Sequence, residues 1–134
     1  MTPEERNLAA THHWVRLYAE DPHRMIDECY AEDFHVSFPG ILEVGTKDEF
    51  HRLEAEVVPA TSVDRRTRIS RLVATGDTVV VEAVLGYTTD GVPRESPWCA
   101  LLTFRDGLIV RDHTYVDRAL WPNAAEAIAA VTGG

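Results

Sequence analysis

Few residues in this chain stand in a pattern that does chemistry, and Asp112 with Thr114 is the clearest. One residue separates them within the run Leu108–Asp117, so on a strand they share a face with Val110 and Val116. A carboxylate on an apolar face loses hydration, which raises its pKa and fits it to carry a proton. The alternative is structural: Asp112 hydrogen-bonds a helix terminus or a helix tyrosine, or lies at the wet margin of a sheet. Trp14 and Tyr18 are one helical turn apart, a spacing that lines either a cavity or an ordinary core. Glu54, one position past Leu53, reaches either a cavity mouth or a solvated helix flank.

Other chemistry finds little support. There are six histidines, but no HxH, HExxH or EF-hand pattern, so no metal is expected. His12 and His13 are adjacent on a helix and diverge by about 100°. Asp48 and His51, three apart on a helix, could share a metal, as could His113 with unknown partners. Ser37 and Ser70 lack the glycines of a nucleophile elbow. Cys29 and Cys99 sit in no CxxC or zinc-like spacing and read as two small buried thiols in a reducing cytoplasm. A net charge of −9 with no basic run argues against nucleic acid and anionic membrane. The densest basic cluster, Arg65-Arg66 with Arg68 and Arg71, reads as a solvated strand edge. Neither a signal peptide nor a membrane-length apolar run is present, which predicts a cytoplasmic protein.

The elements that must position these residues are legible. Four strands follow one another at Arg66–Thr75, Thr78–Thr88, Pro93–Arg105 and Leu108–Asp117, separated by Gly76-Asp77, Asp90-Gly91 and Asp106-Gly107. Asp/Gly pairs supply the positive φ of tight hairpins. Within the second strand Val79, Val81, Ala83, Leu85 and Tyr87 alternate with Val80, Glu82, Val84 and Gly86. Upstream, Thr2-Pro3-Glu4-Glu5 caps a first helix, Asp21-Pro22 ends it and starts a second over Pro22–Tyr30, and Phe34, Val36 and Phe38 alternate as a strand. Thr46-Lys47-Asp48-Glu49 caps a third helix reaching about Val58, with Phe50, Leu53 and Val57 inward and Pro59 as its stop. An Ala-rich helix follows Trp121-Pro122. At 134 residues and 45% hydrophobic composition this is one α+β domain with room for one sizeable core.

The order of elements, with Ala31-Glu32-Asp33-Phe34, Thr46-Lys47-Asp48-Glu49-Phe50, Phe104-Arg105-Asp106-Gly107-Leu108-Ile109 and Tyr115-x-Asp117, resembles the SnoaL-like group of the nuclear transport factor 2-like superfamily over nearly the whole chain. The resemblance implies a cone: a curved antiparallel sheet wrapped around the N-terminal helices, with a small hydrophobic molecule held in the open end. Members include ketosteroid isomerases, polyketide cyclases, epoxide hydrolases and dehydratases, while others only bind partners. The family's catalytic residues do not carry over. The isomerase base matches Phe38, and its oxyanion-hole tyrosine and aspartic acid fall near Trp14 and Ala100. The Arg and Asp of limonene epoxide hydrolases match Ala83 and Leu85, and their second Asp matches Thr114.

The family's orientation turns inward Phe34/Val36/Phe38, Val79/Val81/Ala83/Leu85/Tyr87, Trp98/Ala100/Leu102/Phe104 and Val110/Asp112/Thr114/Val116. The resemblance thus implies a pocket walled by Trp14, Tyr18, Phe38, Leu85, Trp98 and Ala100, with Asp112 as acid/base and Thr114 as its hydrogen-bond partner. Asp117, after Tyr115, falls outside by parity and would cap the terminal segment. The outer face, with Val80, Val84, Leu101, Ile109 and Tyr115 among charged residues, suits a homodimer contact. The leading expectation is a cofactor-independent isomerase, cyclase or dehydratase acting on a hydrophobic or polycyclic compound. The alternatives are a non-catalytic binding module and a protein-interaction scaffold.

Overall fold

The computed structural model describes residues 1–56, 63–117 and 120. Three helices precede the long strands: α1 (Pro3–Glu20), α2 (Pro22–Cys29) and α3 (Lys47–Glu56). Each begins at a cap legible in the sequence. The hydroxyl oxygen of Thr2 accepts from the Glu5 backbone N–H, the Asp21 carboxylate from Arg24 and the Thr46 hydroxyl from Glu49. The strands are β1 (Tyr30–Phe38), β2 (Leu42–Val44), β3 (Val63–Thr75), β4 (Thr78–Thr89), β5 (Val92–Arg105) and β6 (Leu108–Val116). Positive φ at Gly76, at Asp90 and Gly91, and at Asp106 and Gly107 makes the three hairpins of the meander. The expected positions of Val57 and Pro59 and the helix after Trp121 lie outside the described residues.

The strands form one curved sheet in the order β2-β1-β6-β5-β4-β3. It is mixed rather than wholly antiparallel, because β1 pairs with β6 in parallel. Parallel neighbours need a long crossover, and here α3 and four strands supply it. β2, which no local signal announced, adds an antiparallel edge to β1. α1 lies against β3 and β4, with α2 against α1 and α3. Leu17, Ile26, Val36, Val79, Val81, Leu102 and Ile109 form the centre of the resulting core. Among the described residues no helix is long and apolar enough to cross a membrane.

One face assignment is overturned. Ile109, expected on the outer face, is fully buried, while Val110, expected inside, is only half-buried. The cause is a β-bulge: Thr103 pairs with Arg111 and Phe104 with Ile109, which leaves Val110 as the extra residue and inverts the alternation before it. Downstream of the bulge the expected parity holds, and Asp112 and Thr114 are buried. Ile109→Val should therefore cost about 0.5–1.5 kcal/mol in urea unfolding, as for a core methyl. An unchanged stability would return Ile109 to the surface. Leu101 and Tyr115 do remain exposed on the outer face, at 43% and 50%.

Arg65 also departs from expectation. Far from a solvated edge, its side chain is 5% exposed and paired with Glu54.

Candidate functional site

β6 runs between β1 and β5, so Asp112 sits mid-sheet with Val36 on one side and Leu102 on the other. The residue is 2% exposed. Its Oδ2 accepts a hydrogen bond from the Tyr30 hydroxyl at 2.7 Å, and its Oδ1 accepts one from Thr114 Oγ1 at 2.5 Å. Tyr30 in turn accepts from Trp14 Nε1–H at 3.0 Å. Donors therefore run in one direction, from indole to phenol to carboxyl. Burial pushes the Asp112 carboxyl above its ordinary value, and the Thr114 and Tyr30 hydrogen bonds pull it only part of the way back. Burial, reinforced by Asp112, drives Tyr30 well above the usual phenol range, so it remains a donor.

A cavity of about 70 Å³ opens beside this network. Its walls include Trp14, Tyr18, Phe38, Leu85 and Trp98, and Asp112 and Thr114 face it. Trp14 and Trp98 meet edge-to-face with ring centroids 5.7 Å apart, which fixes one wall. Of the expected wall residues Ala100 alone is not brought there. Its methyl is packed in the core, fully buried, between Val81 and Thr114 in the sheet register, and does not reach the opening.

The sequence reading missed Tyr30. Read as the last residue of α2, flanking its apolar side, it instead opens β1. A register irregularity between Tyr30 and His35 leaves Glu32 exposed between them, so simple strand alternation does not point to Tyr30. Met25, Phe50 and Thr67 also line the cavity, as does Glu54.

The remaining candidates lie elsewhere. His35 and His113 touch edge-to-face away from the cavity, with centroids 5.9 Å apart. His51 bonds His23 and Asp27 rather than joining Asp48. Among the described residues no three metal-ligating side chains gather. Asp117 follows β6 as an exposed residue whose carbonyl accepts from Leu120 N–H at 3.2 Å.

Helices enclosed by a bent sheet, with a mostly apolar hollow whose wall carries Asp112 and Glu54, make up a nuclear transport factor 2-like fold. Within that fold class residues 11–112 match the SnoaL-like domain, and the chain belongs to this family. No curated protein sequence matches it significantly. Among solved structures it is similar to an LEH-like epoxide hydrolase from M. tuberculosis, with 14% identity, a TM-score of 0.76 and coverage of 99% of this chain and 100% of the other. A protein from Jannaschia sp. CCS1 assigned as a SnoaL-like polyketide cyclase shows 20% identity, a TM-score of 0.77 and coverage of 95% and 96%. A protein of ketosteroid isomerase-like fold from Catenulispora acidiphila, solved with trimethylamine, shows 18% identity, a TM-score of 0.74 and coverage of 87% and 92%. At these identities the likeness establishes the fold.

Proposed function

We propose that this chain binds a small, largely apolar carbonyl compound and moves a proton on it, as an isomerase, cyclase or dehydratase whose chemistry is carried by side chains. The observation that supports this most is the placement of Asp112: a buried carboxyl with a raised pKa, oriented by two hydroxyl donors, at the wall of an otherwise mostly apolar cavity. Such a group exchanges a proton near neutral pH more readily than a solvated carboxylate. A water needs roughly 10–15 Å³ of such space, so about 70 Å³ favours a single-ring compound over the polycyclic one expected from the family.

The β,γ-isomer of cyclohexenone tests the reading, since its conversion to the conjugated ketone needs only proton transfer. Turnover is followed by ultraviolet absorbance, and binding of the conjugated product by quenching of Trp14 and Trp98. The wild type should isomerise it, and Asp112→Asn should bind the product while losing most turnover. Equal turnover by both proteins would remove Asp112 from the mechanism.

A second reading, a binding module without chemistry, draws support from a specific feature. Both Asp112 oxygens already accept hydrogen bonds, and the family's catalytic positions hold Phe38, Ala83 and Ala100. Binding without turnover by the wild type would favour it.

A further inference from the structure

A second carboxyl group meets the same cavity from α3. Glu54 lines it with its side chain only 8% exposed, and its Oε2 accepts from Arg65 Nη2 at 2.9 Å. The Arg65 guanidinium also stacks on the ring of Tyr18, another wall residue, with its carbon 3.9 Å from the ring centroid. Burial opposes the charge on Arg65, and Tyr18 and Glu54 more than offset that. Yet among the described residues Nη1 is buried without a hydrogen-bond partner.

A buried ion pair stabilises a fold only when its remaining donors and acceptors are satisfied. This one leaves a guanidinium nitrogen unmet, so stability does not account for its presence. The two carboxyl groups of the cavity also live in opposite surroundings. Asp112 has hydroxyl donors and no cation in hydrogen-bond contact, whereas Glu54 has a guanidinium. Such an opposed pair divides acid from base.

Resting on the reading of Asp112 as a proton carrier, we propose that Glu54 is a second catalytic residue of this cavity, acting as the base while Asp112 acts as the acid, and that Arg65 is its positioning residue. With the β,γ-isomer of cyclohexenone, Glu54 takes a proton from the methylene between carbonyl and alkene. That C–H pair becomes the new C=C bond of a dienol as the carbonyl π pair moves to oxygen, which takes the Asp112 proton. The dienol oxygen then returns its proton to Asp112, and the far alkene carbon takes the proton held by Glu54. One C–H bond breaks, another forms, and both carboxyl groups are restored.

The titratable groups facing the cavity are Tyr18, Tyr30, Glu54 and Asp112, with Arg65 against Tyr18 and Glu54. Burial raises both tyrosines above the usual phenol value, which leaves the Asp112 carboxyl, raised by its own burial, to shape the alkaline side of the pH profile. Wild-type kcat/KM should fall on the alkaline side as the Asp112 acid, its carboxyl raised by burial, loses its proton. Glu54→Gln should lower kcat/KM by about 10²-fold or more and leave the alkaline limb set by Asp112 intact. Arg65→Met should lower kcat at similar KM, and Arg65→Lys should restore it.

If Glu54→Gln does not fold, Glu54→Asp decides. A base withdrawn by one methylene should lower kcat roughly 10- to 100-fold at similar KM, whereas a structural strut would leave kcat and the profile standing. Wild-type turnover with undiminished kcat in the Glu54 variants overturns this assignment alone. Absence of wild-type turnover removes the parent reading together with it.

Discussion

Asp112→Asn should unfold at a higher temperature than the wild type at neutral pH while losing about 10²–10⁴ of its turnover. The unfolded chain titrates this carboxyl near 3.8, and burial raises it in the folded protein. A raised carboxyl favours folding in its protonated form. Its contribution is therefore fully present below pH 3.8 and is lost as pH rises through the folded value. At neutral pH the wild type bears the cost of a charged or reluctantly protonated group at 2% exposure, and asparagine does not. The amide also keeps both partners, since its oxygen accepts from Tyr30 and its nitrogen donates to Thr114 Oγ1.

Relief of this kind at a functional site is worth about 0.5–2 kcal/mol. Thermal unfolding of the two proteins across the acid-to-neutral range gives the check: their difference should grow as pH rises and vanish in acid. A variant equally destabilised at every pH would mean that Asp112 serves packing alone.

The same residues show why some of the site could be read from the sequence and some could not. Asp112 was visible because it breaks an apolar face at a spacing of two, and that parity survives from Arg111 onward. Ile109 was misplaced because a bulge leaves no local composition signal: inserting Val110 changes which residues oppose each other, not what they are. Tyr30 was hidden by a boundary error of a single residue between α2 and β1. The hairpins were legible from their Asp/Gly turns, whereas the parallel pairing of β1 with β6 joins residues 76 to 79 positions apart with no turn between them to announce it. Arg65 was the largest miss. An arginine among arginines reads as solvated, and only the approach of α3 and α1 from elsewhere in the chain supplies Glu54 and Tyr18 to bury it. What depends on period and turn chemistry was accessible; what depends on distant elements meeting was not.

The Arg65–Glu54 pair gives the second large effect, and it separates the stability of the pair from its role in the cavity. Glu54→Leu leaves a guanidinium that is 5% exposed without its counter-ion and should cost about 3–5 kcal/mol in urea unfolding. Arg65→Met should cost less, because a carboxyl group left alone can take up a proton whereas a guanidinium cannot release one. The double variant should recover most of the loss, and it can equal or exceed the wild type, since apolar side chains of similar volume carry no desolvation cost. The double-mutant cycle would then show strong coupling between residues that contribute little net stability as a pair. A double variant as unstable as Glu54→Leu would show instead that the pair is a structural element of the fold. A stable double variant without turnover means that the ions sit at the cavity wall for what they do to the molecule bound there.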